Sequence, residues 1–147
     1  IRAGRKDRKR PIMTSWIRAG VLYCLTIFAV AFVLGSVRVL WAAPRVGPVI
    51  AVLLETPLVL LVSWAAARRI SPRAIDGELA GRGLMGVIAL ALLMGLEFGL
   101  GAVLGRSASE QLAGMQTPAG LIGLAGQAGF AAIPILQALW DTRRASR

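Results

Sequence analysis

Apolar residues dominate four stretches of the chain, and polar residues collect between them. The stretches run roughly from Ala19 to Trp41, Val46 to Ala67, Gly83 to Leu104 and Ala119 to Trp140. None shows the strict alternation of a half-buried strand. Each is long enough as a helix to cross a hydrocarbon core about 30 Å thick. The pattern predicts an all-α integral membrane four-helix bundle made of two antiparallel transmembrane hairpins. The first connection, APRVGP from Ala43 to Pro48, is short and holds two prolines, so spans one and two should form a tight hairpin. The middle connection, RRISPRAIDGELAGR, is the most polar interior segment. Its SPRAIDGEL part suits one short helical turn on the membrane surface, with Ser71 as cap and Pro72 in the first position. In the third connection, Ser107-Ala-Ser-Glu110 has the spacing of a capping box and predicts a short interfacial helix.

Composition agrees with this reading. Of the 147 residues 56% are hydrophobic and only 16% charged, which is more apolar than a soluble domain of this size. The net charge of +10 looks like a nucleic-acid signal until its location is considered. Six of the 17 basic residues fall in residues 1–12, and MTSWIRAG from Met13 reads as a natural start. Residues 1–12 are therefore expected to be a basic upstream extension, and residues 13–147 a single transmembrane domain. From Met13 the balance is 11 basic against 6 acidic residues, and nucleic acid is not an expected partner. Arginines near span ends number eight on the side of Arg18, the middle connection and the tail, against three at Arg38, Arg45 and Arg106. The positive-inside rule then places both termini in the cytoplasm of a bacterial inner membrane. Trp16, Trp41, Trp64 and Trp140 sit near span ends, where an aromatic belt would hold them.

Three ionisable residues fall inside the spans: Arg38, Glu55 and Glu97. Left alone at mid-span, each costs roughly 2.5–3.5 kcal/mol on the insertion scale, so each should face the bundle interior. At about 1.5 Å per residue, Arg38, Glu55 and Glu97 lie roughly 5, 13 and 10 Å from the same membrane face. With the reach of an arginine side chain they can converge in the outer half. Pairing of Arg38 with Glu55 across the tight hairpin is expected, as staple or as part of a polar pocket. Two carboxylates with one guanidinium leave a charge to balance, by a proton on one Glu or by water. Gln127, mid-span in the fourth helix, can bond to Glu97 or Glu55. Pro57 and Pro134 should bend their helices, each freeing a carbonyl that needs another partner; at Pro57, Thr56 is one candidate. Close helix packing is expected at Gly95, Gly99, Gly101, Gly105, Gly123 and Gly126. The first four form two small-xxx-small pairs, and the last two belong to a stripe at three-residue spacing.

Much chemistry is excluded. The chain has no histidine and one cysteine, Cys24, so an internal disulfide, a His-based triad and a His- or multi-Cys metal site cannot form. No phosphate-cradling loop is present. No enzyme activity, cofactor or metal is expected.

The stretch LGSVRVLWAAPRVGPVIAVLLETPLVLLVSWAAARR resembles a family of small four-span bacterial inner-membrane proteins to which no activity is assigned. In that family a G-x-x-R-x-L segment precedes a Pro-Arg-x-Gly turn and an L-x-E-x-P core. The resemblance covers Leu34 to Arg69. It implies that Arg38, Pro44, Arg45, Gly47, Glu55 and Pro57 form one motif, and it adds no mechanism. The expected role is structural or accessory: a small lipid-embedded protein, as a subunit beside other membrane proteins or as a homo-oligomer. The alternative is a proton-coupled transporter or channel that uses Glu55 or Glu97.

Overall fold

The computed structural model of the protein describes residues 9–72 and 78–145. Residues 1–8 of the basic extension, and the centre of the surface turn expected after Ser71, lie outside these. The described chain is all-helical. α1 spans Lys9–Val37, a π-helical turn Arg38–Ala42, α2 Ala43–Val46, α3 Pro48–Ile70, α4 Glu78–Val103, α5 Ala108–Met115 and α6 Pro118–Ala145. Counting the first helix through to Val46, four helices are long and apolar enough to cross a membrane.

Two boundaries differ from expectation. The Ala43–Pro48 connection is not a loop. The helix continues through Pro44, and the chain breaks at one residue, Gly47, with φ 83° and ψ 158°. That backbone region is open almost only to glycine. Pro48 then starts α3 at a position where its missing N–H costs nothing. Continuation through Pro44 has a local cause. In a regular α-helix the proline ring would meet the carbonyl of Leu40. The wider turn instead bonds the Ala43 N–H to the Arg38 carbonyl. The second difference is α4, which begins at Glu78 rather than at Gly83.

The four long helices form a ring in the order α1, α4, α6, α3, with α3 returning to α1. Across the diagonal, a side chain of α1 reaches both a ring and a backbone carbonyl of α6. Tyr23 of α1 crosses the centre, stacks on Phe130 of α6 at 4.5 Å between centroids and donates its hydroxyl to the Phe130 carbonyl at 2.9 Å. That carbonyl is the one Pro134, lacking an N–H, leaves free in α6. Ser63 lies beside the same hydroxyl without a hydrogen bond of its own.

Close approach is set by glycines other than most of those expected. A Cβ on Gly86 would run into the backbone carbonyl of Ala131, fixing α4 on α6. Gly20 packs on α4 less tightly, with a Cβ there standing 3.0 Å from the Met85 carbonyl, and Gly81 receives the Trp16 ring. Trp16 is therefore a core residue at 2% exposure and not part of a belt, whereas Trp41 and Trp140 are exposed.

The outward faces are apolar. Leu40, Leu61, Val87, Val103 and Leu104 each expose more than six-tenths of their surface. Only 17–22% of each apolar helix window is buried within the chain. A helix that is apolar all round and mostly unburied suits lipid, where the backbone pairs within the helix and side chains need no water.

Candidate functional site

Arg38 stands at the first position of the π turn, nine residues before Gly47, and Glu55 eight residues after it. Continuation of the helix to Val46 thus places Arg38 deeper than expected, about 12 Å from that end of the helix at 1.5 Å per residue. Glu55 is about 10 Å from the start of α3 on the same measure. The two depths match, and Arg38 Nε lies 2.5 Å from Glu55 Oε2. Gly35, one turn before Arg38, lies beside the pair, and a Cβ would fit there in ordinary contact. It would stand 3.7 Å from Glu55 Oε1 and 3.9 Å from Arg38 Nη2.

Glu97 of α4 accepts a 2.7 Å hydrogen bond from Gln127 Nε2 of α6. Gly126, the residue before Gln127, faces α3. Its Cα faces the Thr56 methyl, with 3.0 Å left for an added Cβ, so α6 lies close on α3 with Gln127 beside it. The Thr56 hydroxyl bonds to the Val52 carbonyl, not to the Leu53 carbonyl that Pro57 frees. The Gln127 side-chain oxygen is sealed and accepts no hydrogen bond from the described residues.

These four side chains line one cleft of about 870 Å³. All four long helices contribute to it. Its apolar wall includes Phe28, Phe32, Leu93 and Phe130, and its far end is roofed by α5. Gly105, at φ 81°, ends α4 by letting the Arg106 N–H return to the Gly101 carbonyl and the Gly105 N–H to Ala102. The chain then enters α5 through the expected capping box: Ser107 Oγ accepts from the Glu110 N–H, and Glu110 Oε2 accepts from the Ser107 N–H. The Ser107 backbone N–H, and after it the Ser107 hydroxyl, hold the Glu110 carboxyl below the usual carboxylate range. Gln111 packs its amide onto Gly101 and donates to the Phe98 carbonyl at 3.3 Å, which ties the roof to α4.

A second polar cluster, missed in the sequence, sits at the opposite end. Gln137 of α6 is fully buried. It donates to the Trp64 carbonyl at 2.7 Å and accepts from Arg82 Nη1 at 3.4 Å. Asp141, one turn further on, draws Arg68 to 3.6 Å and Arg82 to 3.8 Å. α3, α4 and α6 are thereby clamped together. The i, i+4 pair of Gln137 and Asp141 is the signal in the sequence, and the polar middle connection that contains Arg82 hides it.

The expected packing glycines divide. Gly101 and Gly126 lie in close contacts, Gly101 against α5 rather than against another span. Gly95, Gly99 and Gly123 meet nothing within 4 Å where a Cβ would stand. Gly95 and Gly99 are on the exposed face of α4, Gly123 borders the cleft, and Gly105 is a helix terminator. The helical period put all of them on faces, but it could not say which face meets a helix of the same chain. Among the described residues, no three His, Cys, Asp or Glu side chains converge as metal ligands would. Scans of the chain against protein-family models, curated proteins and solved structures return no match.

Proposed function

We propose that the protein is a multi-pass protein of a bacterial inner membrane, without enzymatic activity, that binds a small molecule in its cleft in the manner of a transporter. The observation that carries this reading is the cleft itself. Its volume lies within the range of small-molecule sites, its wall is largely apolar, and its few polar groups converge from three helices and the π turn. Intramembrane ionisable groups facing such a space mark functional sites by default. The positive-inside count puts both termini and the Arg82–Asp141 end in the cytoplasm, and the cleft in the outer half. The Gly47 break between packed α1 and α3, and the α5 connection between packed α4 and α6, support two antiparallel transmembrane hairpins.

A structural or accessory subunit is the second reading. It is favoured by Gly95 and Gly99, which present a flat exposed face with no partner from this chain. Native mass spectrometry after extraction in mild detergent separates the two. The cleft reading expects a retained non-peptide adduct that Gly123→Phe abolishes in folded protein, because Gly123 borders the cleft and a Cβ there meets nothing within 4 Å. A stoichiometric protein partner, with no small adduct, would favour the accessory role.

A further inference from the structure

α3 and α6 end together. The Trp64 carbonyl of α3 accepts from Gln137 of α6, and four residues further along both helices Arg68 stands 3.6 Å from Asp141. The two helices therefore run parallel and in step, and their last turns reach the same level. On these two helices that end holds Arg68, Arg69, Arg143 and Arg144 against one acid, Asp141. Asp141 is already shared by Arg68 and by Arg82 of α4. Arg69 and Arg144 are exposed, and neither has a hydrogen bond or an ion pair among the described residues.

Arg144 is nevertheless positioned. Its guanidinium lies over the Trp140 ring at 5.4 Å, one turn back, and Arg68 repeats the arrangement over Trp64 at 5.7 Å. Stacking uses the face of a guanidinium and leaves its edge of N–H donors open, the edge that meets phosphate oxygens in pairs. The opposite end of the bundle differs. There Arg45 lies over Trp41 at 4.5 Å, but its Nη1 donates to the Trp41 carbonyl, and the charge of Arg106 acts on the Glu110 carboxyl. Next to Arg144, on the side of the bilayer, Leu136, Leu139 and Trp140 are exposed. The open cationic edge thus borders directly on the apolar outer wall, as a phosphate borders on acyl chains in a lipid.

Resting on the membrane reading proposed above and not on the cleft, we infer that the paired ends of α3 and α6 bind an anionic phospholipid, its phosphate at Arg69 and Arg144 and its acyl chains along Leu136, Leu139 and Trp140. An acidic protein matches the charge but not the apolar wall beside it.

The test reads which lipid stands beside Trp140. The full chain, in a Trp41→Phe background, is reconstituted in phosphatidylcholine vesicles. These carry an equal fraction of either phosphatidylglycerol or phosphatidylcholine brominated on its acyl chains, and quenching of tryptophan fluorescence is measured. The brominated phosphatidylglycerol should quench as though enriched beside the protein by about fivefold or more, the effect of one surface arginine on an anionic lipid. Arg69→Gln combined with Arg144→Gln should lower its quenching to that of the brominated phosphatidylcholine. Arg45→Gln combined with Arg106→Gln removes the same charge at the opposite end and should leave the enrichment unchanged. Thermal melts of both double variants serve as the control for folding. Equal quenching by the two lipids in the parent chain, or equal losses in the two double variants, would overturn the lipid site and leave the membrane reading standing. Equal quenching together with saturable binding of a polyglutamate peptide, lost in the Arg69→Gln, Arg144→Gln variant, would assign the patch to an acidic protein instead. Absence of quenching by either lipid would overturn the site together with the membrane reading.

Discussion

Tyr23 and Pro134 are 111 residues apart in the sequence, yet one carbonyl joins them. Pro134 removes the N–H that would bond Phe130 in α6, and the Tyr23 hydroxyl takes its place at 2.9 Å. Tyr23→Phe deletes that donor and leaves the fully buried ring otherwise unchanged. Interhelical hydrogen bonds in membranes average about 0.6 kcal/mol and reach about 1.7. The upper end applies here, because the Phe130 carbonyl has no helical partner to fall back on, and an abandoned buried acceptor costs about 1–3 kcal/mol. The expected loss is about 1.5 kcal/mol on these scales, measured by reversible unfolding in mixed micelles. Pro134→Ala returns the helical N–H. In that background Tyr23→Phe should cost under about 0.5 kcal/mol, the usual margin of additivity. The coupling, not either single value, is the test, since Pro134→Ala also alters the bend of α6. Equal costs of Tyr23→Phe in the two backgrounds would refute the claim that the hydroxyl serves the carbonyl freed by Pro134.

Gly86→Val should destabilise the bundle by about 3 kcal/mol or more, since overpacking commonly costs 1–3 and the obstacle here is the Ala131 backbone. Gly95→Val, which meets nothing, should leave the melting temperature nearly unchanged; similar effects of the two would contradict the assigned helix contacts. Gly47→Ala should cost about 1–3 kcal/mol through backbone strain alone, because no atom lies near the new methyl; an unchanged melt would mean the turn is relaxed in another conformation. Glu110 has a folded-state carboxyl held below its ordinary range, so its contribution is complete above that range and disappears as the pH falls through the lowered value. Amide protection in α5, taken relative to the intrinsic exchange rate at each pH, should therefore fall on acidification below the ordinary carboxylate range, and Glu110→Gln should remove that change in protection.

The sequence was most informative where a single residue carries an energy too large to ignore. Arg38, Glu55 and Glu97 are expected to turn inward, and the reach of the arginine side chain lets their unequal depths converge, whereas the deeper placement of Arg38 depends on the helix running on to Val46. The Ser107–Glu110 box was legible because it is purely local. Other features depended on relations between distant segments. Pro44 looked like the end of a helix because the π turn that accommodates it leaves no residue signature. Trp16 looked like a belt residue because the glycine that receives its ring, Gly81, lies on another helix. Gly95 and Gly99 have the spacing of a packing face, but spacing does not specify whether the neighbour is this chain, another chain or lipid. The Gln137–Asp141 clamp needed Arg82 to be recognised as helical.

The central claim is a polar cleft between lipid-facing helices, and cysteine accessibility in intact membranes tests it most directly. In a Cys24→Ala background, Gly123→Cys and Gly99→Cys place one thiol each at similar depth. Gly123 is five residues after Pro118, and Gly99 four before Val103. Gly123 borders the cleft and Gly99 the exposed face of α4. A small charged methanethiosulfonate added from the outer side should modify Gly123→Cys and spare Gly99→Cys. Modification of Gly99→Cys with protection of Gly123→Cys would contradict the account.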